Sequence, residues 1–237
     1  MTNVLFLGFL MGIRHALDAD HIMAIATLTV DKGKISAITQ GAGWGVGHTL
    51  TLLTVGGAFL YLDFVLSDHI AHVLELIVGV MLAVLGLDLI RSLVKNRIHV
   101  HAHKHQDGSV HIHPHSHAHN FRQHTADHEH THPKEVPLRA MFVGCMHGMA
   151  GSSALILLSL QAIQSPLTGL FCIILFGIGS IIGMAALSLA IALPLQYSAN
   201  RPAWLYDGVK SVVGFATVTL GFYIIYDVGI ANGLLIN

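Results

Sequence analysis

Residues 14–22 read RHALDADHI and place one guanidinium, two carboxylates and two imidazoles inside an otherwise apolar stretch. A charged side chain near the bilayer centre costs about 2.5–3.5 kcal/mol on insertion scales, so such groups face a protein interior or a watery cavity and mark a pathway. On a helix His15, Asp18 and His21 form one slanted stripe, with Asp20 to the side. His15 and His21 then stand about 9 Å apart along the axis at 1.5 Å per residue, too far for one ion to reach both. Either the helix unwinds near Gly12, or an ion uses neighbouring pairs along the stripe; discontinuous helices are common at transport sites. Imidazole and carboxylate donors suit a borderline divalent ion such as Ni2+, Co2+, Zn2+ or Cu2+ better than Mg2+ or Ca2+, which prefer oxygen cages. Two other readings stay open: a buried salt-bridge cluster in which Arg14 and the histidines satisfy Asp18 and Asp20, and a proton relay.

Further candidate donors are spread along the chain. His48 sits deep in the apolar run GWGVGHTLTLL (43–53), and with His15 and His21 as companions it is a candidate ligand. His147, with Met149 and Ser152 beside it in CMHGMAGSS (145–153), is a candidate pathway residue. His69, His72 and Glu75 share a helix face by their i,i+3 spacing. They could collect metal at an outer mouth or be a solvated helix end.

Residues 99–132 hold 13 of the 19 histidines, a composition that binds metal. His99, His101, His103 and His105 precede Gln106-Asp107-Gly108; His111, His113, His115, His117 and His119 follow it. A three-residue turn with glycine in the left-handed position opposes His103 to His111, His101 to His113 and His99 to His115. A two-residue turn would put the two sets on opposite faces. A disordered chelating tract remains the alternative. Such a loop could also bind Zn2+.

The elements that must carry these groups are membrane helices. Hydrophobic residues make up 53% of the 237 and charged ones 11%, against about 25% charged in a soluble domain. A span needs about 20 apolar residues, and six candidates run approximately over 3–30, 35–62, 69–94, 138–163, 166–195 and 205–230. The fifth carries Gly177, Gly179 and Gly183, where it is expected to tilt or break. Residues 1–94 form one three-helix unit, 95–137 the His-rich loop, and 138–237 a second three-helix unit. Nearly all Lys and Arg fall in or beside the loops on one side, the exception being Arg14. The positive-inside rule makes that side cytoplasmic and puts both termini outside. No cleavable leader is recognisable at the N-terminus.

The halves echo each other: GVGHTL (45–50) with GIGSII (177–182), ELIVGVMLAVLG (75–86) with KSVVGFATVTLG (210–221), and His15 with His147. Three helices per repeat gives opposite orientations, an inverted repeat with its substrate site near the midplane. The expected fold is therefore all-α and polytopic, about six spans in a 3+3 inverted repeat. Cys145 and Cys172 form no CxxC and read as small buried hydrophobes, which disfavours a thiol carrier. There is no GxxxxGK[ST] for nucleotide and nothing that suggests nucleic acid.

HALDADH (15–21) matches the HX4DH signature of the nickel/cobalt transporter (NicO/NiCoT) family, and GHTLTLL (47–53) resembles that family's second helix motif. Short length and HGMAGSSAL are most similar to the UreH-like, urease-accessory branch. The resemblance implies a secondary permease for Ni2+ or Co2+ in the plasma (inner) membrane. It also implies a need for His15, Asp18, Asp20, His21 and His48, and makes cytoplasmic nickel chaperones candidate partners. It implies no catalytic cofactor and no enzymatic activity. Uptake for a nickel enzyme such as urease is the leading expectation; efflux, or sensing and storage without transport, are the alternatives. HGMAGSSA carries no acidic residue, so the C-terminal half is expected to contribute differently from the N-terminal one.

Overall fold

The computed structural model describes residues 2–30, 32–62, 67–97, 99–104, 110–115, 137–149, 165–199, 203–232 and 234. Helices α1 (Thr2–His15), α2 (Ala19–Thr29), α3 (Lys34–Leu62) and α4 (Asp68–Arg97) precede the His-rich segment. α5 (Leu138–Gly148), α6 (Pro166–Ala199) and α7 (Ala203–Tyr226, ending in the π-helical turn Asp227–Ala231) follow it. Apart from the ribbon within the His-rich segment, the regular elements among the described residues are all helices. The second part of the expected fourth span, including Ser152, lies outside them.

The first apolar run is two helices. Leu17 N–H donates to the Arg14 carbonyl at 2.9 Å and Asp18 N–H to that of His15 at 3.1 Å, a tightened turn that ends α1. Asp18 then takes an extended conformation (φ −66°, ψ 147°) as the N-cap of α2. Its side chain gives α2 no cap bond, because the carboxylate is committed to His15. The interruption expected near Gly12 therefore falls at Ala16–Asp18. Gly12 itself is helical and serves another purpose: a Cβ there would lie 2.0 Å from the Phe176 carbonyl oxygen of α6.

α3 carries the unit GAGWGVG over 41–47, and its alternate glycines face two different neighbours. Added Cβ atoms at Gly41 and Gly45 would meet Ser188 and Ile181 of α6; at Gly43 and Gly47 they would meet Pro137 and the Met141 carbonyl at α5. These are two interleaved GxxxG faces, the device that lets membrane helices approach to backbone contact. Interhelical hydrogen bonds secure both: Thr49 Oγ1 donates to the Gly177 carbonyl of α6 at 3.2 Å, and Thr51 Oγ1 to the Cys145 carbonyl of α5 at 3.1 Å. α3 is thus wedged between α5 and α6, with His48 one residue beyond the glycines. α6 runs unbroken through Gly177, Gly179 and Gly183, so of the expected tilt or break the break does not occur. Each of these glycines instead seats a neighbour: Thr49, the Phe9 carbonyl and Ala16 respectively.

α4 and α7 pack through a second set of glycines, Gly79 against the Gly221 carbonyl and Gly86 against that of Gly214. The central core comprises Ala16, Ile25, Trp44, Leu82, Val143 and Met184. The outer surface is apolar, with Phe6, Phe142, Trp204, Phe215 and Phe222 all exposed. So large an apolar exterior belongs in lipid. Among the described residues three helices are long and apolar enough to cross a membrane: His69–Lys95, Pro166–Pro194 and Trp204–Ala231. α3 is 29 residues long but dilutes its apolar residues with glycine, threonine, Gln40 and His48. Six spans are therefore not all met by length and composition. Lys210, placed beside a loop by sequence, is buried within α7, its ammonium 5.5 Å from the Tyr206 ring.

In the His-rich segment β1 (His99–Lys104) pairs antiparallel with β2 (Val110–His115). His99 faces His115, His101 faces His113 and His103 faces His111, the register that a three-residue turn at 106–108 requires. His105, His117 and His119 lie outside the described residues.

Candidate metal centre

Four imidazoles meet where the α1–α2 break touches α3 and α5. His15 is the last residue of α1 and His21 lies in the first turn of α2. His48 projects from α3 and His147 from the end of α5. All four are buried, His48 completely. The break brings His15 and His21 to 4.5 Å between ring centroids, which an unbroken helix could not do. His48 stands 5.3 Å from each of them, and His147 is 4.3 Å from His21. Phe176 packs on His15 at 5.4 Å, and Trp44 on His147 at 5.5 Å.

The carboxylates decide which nitrogens are free. His15 Nδ1–H donates to Asp18 Oδ2 at 2.7 Å. His21 Nδ1–H donates to Asp20 Oδ1 at 3.1 Å, and His147 Nε2–H to Asp20 Oδ2 at 2.9 Å. A neutral imidazole has one N–H, so each bond leaves the opposite nitrogen with a lone pair. Those opposite atoms, His15 Nε2, His21 Nε2 and His147 Nδ1, have no hydrogen-bond partner, and neither nitrogen of His48 has one. Buried polar atoms are ordinarily satisfied, and leaving one unpaired costs about 1–3 kcal/mol. Several orphaned imidazole nitrogens in one buried cluster are a candidate cation site.

Two groups of three donors converge within 4.8 Å: His15, His21 and His48; and Asp20, His21 and His147. Three neutral imidazole nitrogens suit Ni2+, Co2+, Zn2+ or Cu2+. Asp18 belongs to neither group; its half-exposed carboxylate grips His15 from outside. With an ion on His15 Nε2 this pair would complete a carboxylate–histidine–metal arrangement, whose loss typically costs 10–100-fold in metal affinity. Asp18→Asn is accordingly expected to weaken Co2+ binding at the centre by about 10–100-fold with the folded structure retained. Equal affinity in wild type and variant, by competition with a coloured chelator, would remove Asp18 from the site.

Other candidates lie elsewhere. Arg14 is exposed at the end of α1, and Met149 is half-buried as the C-cap of α5. His69 and Glu75 are exposed and His72 half-buried near the start of α4, and neither convergent donor group includes them. Sequence reading underrated two features. Asp20–His147 joins residues 127 apart, and Trp44 lines the centre although it carries no metal-binding atom. The GAGWGVG spacing was the available signal for Trp44, since it brings α3 against α5.

Urease accessory protein UreH of Bacillus sp. (strain TB-90) is 30% identical over 241 residues, spanning 99% of this chain and 95% of that protein. The chain belongs to the UreH family. This is the branch of the nickel/cobalt transporter family to which HX4DH pointed. Two plant relatives are more distant, the chloroplast proteins FOR GROWTH AND FERTILITY 2 and 1 of Arabidopsis thaliana. They are 24% and 25% identical over 186 and 181 residues, about three quarters of this chain but under half of theirs. No family model matches the chain, and no solved structure matches it. The UreH match spans 99% of the chain and so runs through the helices that build the centre.

Proposed function

We propose that the chain is a secondary permease that carries Ni2+ or Co2+ inward across the plasma membrane to supply a nickel enzyme such as urease. One observation carries the reading: the orphaned nitrogens of His15, His21 and His48 converge in a lipid-embedded fold, at a break in a helix. Broken helices and midplane sites are the hallmarks of alternating-access carriers. The urease-accessory relative supports the inward direction.

The reading includes a 3+3 inverted repeat with outward termini and a cytoplasmic His-rich ribbon. Contacts in matched pairs support it. Gly12 sits on Phe176 as Gly144 sits on Trp44, and Gly47 sits on Met141 as Gly179 sits on Phe9. One sequence offset relates Gly12 to Gly144, Trp44 to Phe176, Gly47 to Gly179 and His15 to His147. The same offset relates His48 to Ser180, whose buried hydroxyl also lacks a partner. The ribbon would receive the ion on the cytoplasmic side and pass it to chaperones.

Whole-cell uptake of radioactive nickel tests the direction: expression is expected to raise accumulation, and lowered accumulation with raised nickel tolerance would mean efflux. Purified protein in liposomes tests transport itself. Metal-selective flux is expected, and none under an imposed ion gradient would favour sensing or storage.

A further inference from the structure

We infer a second cation station beside the first, formed by Asp20, His21 and His147, with the His21 ring shared between the two. This rests on the reading of the chain as a transition-metal carrier. The His21 ring is 4.5 Å from the His15 ring and 4.3 Å from the His147 ring. Its Nε2 belongs with the unpartnered nitrogens of His15 and His48, while its Nδ1 faces Asp20. Asp20 reaches both flanking rings with different oxygens, at 3.1 Å to His21 and 2.9 Å to His147. Ligand atoms about 3 Å apart match neighbouring ligands on one ion at bond lengths of about 2.1 Å. Asp20 is about a third exposed whereas His15, His21 and His48 are buried, so the second station is the wetter one.

The two stations make a ligand-exchange step with conserved atoms. At the first, the ion is bound by His21 Nε2, and the proton on Nδ1 stays in the hydrogen bond to Asp20. At the second, the ion takes Nδ1 and the ring's single proton resides on Nε2, so the ion and the proton exchange places on one ring. His147 likewise moves its proton from Nε2 to Nδ1. No proton is gained or lost by the protein. The negative Asp20, absent from the first station, then draws the divalent ion across the ring.

The test is anomalous scattering from the full chain crystallised with Co2+, whose position can be distinguished from ions held by the His-rich ribbon. Wild type should show Co2+ density on both sides of the His21 ring. His147→Ala should keep only the density among His15, His21 and His48, and His48→Ala only the density at Asp20. Density at the first station alone in wild type and in His147→Ala, with none at Asp20 in His48→Ala, overturns the second station and leaves the carrier reading standing. Density at neither site in wild type overturns both. Flux supplies the second measurement. His147→Gln retains an N–H for Asp20 but offers no imidazole, and should reduce Co2+ flux about 10-fold or more. Wild-type flux in His147→Gln would mean that His147 merely holds Asp20.

Discussion

His48→Leu is expected to abolish metal transport and at the same time make the metal-free protein more stable. His48 is wholly buried and neither ring nitrogen has a partner. An unsatisfied buried polar group costs about 1–3 kcal/mol, and an apolar side chain of similar size removes that cost. A histidine kept for packing would behave in the opposite way, since its replacement would break bonds that hold the core. The loss of transport follows because His48 supplies one of three donors to the first station. Thermal unfolding in detergent and flux in liposomes measure the two halves. Added Ni2+ should raise the wild-type unfolding temperature through binding to the folded state and raise that of His48→Leu less. A less stable His48→Leu that still transports would refute the assignment on both counts.

Gly12→Ala and Gly144→Ala should each cost about 3 kcal/mol, the upper end for overpacking. The added Cβ atoms would lie 2.0 Å from the Phe176 carbonyl oxygen and 2.2 Å from that of Trp44. Neither obstacle is a flexible side chain, so the helices themselves would have to separate. α1 would move off α6, and α5 off α3, and with them His15 and His147. Gly57→Ala and Gly208→Ala provide the contrast, since nothing lies within 4 Å of a Cβ at either position. In a helix interior alanine is favoured over glycine by roughly 0.5–1 kcal/mol, so these two should be neutral or slightly stabilising. Size-exclusion profiles and unfolding temperatures of the four variants separate the cases. Equal behaviour of all four would mean that the glycine contacts do not hold the bundle.

Sequence by itself determined the chemistry on offer and the kind of solvent around it. HX4DH inside an apolar run cannot be indifferent in lipid, because the cost of charge there demands partners or a cargo. The impossibility of one ion bridging His15 and His21 on a straight helix left either a break or a relay along neighbouring pairs, and composition pointed to long apolar helices. The period-two histidines on both sides of Gln106-Asp107-Gly108 likewise contained the ribbon's register, since side chains alternate faces along a strand.

Tertiary structure alone decided where the break falls and which donors meet. Asp18 and Asp20 read as equivalent acids in HALDADH. In the fold Asp18 turns out to hold one histidine from the rim, while Asp20 joins His21 to His147. The difference comes from the extended backbone at Asp18, which re-aims everything after it. His48 and His147 acquire their meaning only from packing. Glycines at 41–47 admit α5 and α6 to backbone contact, and that close approach sets imidazoles from four helices around one point. Periodicity along a chain reports which face a residue takes on its own helix. It does not report which other helix that face will meet, and in lipid, where apolar burial is no guide, complementary small-residue surfaces make that choice.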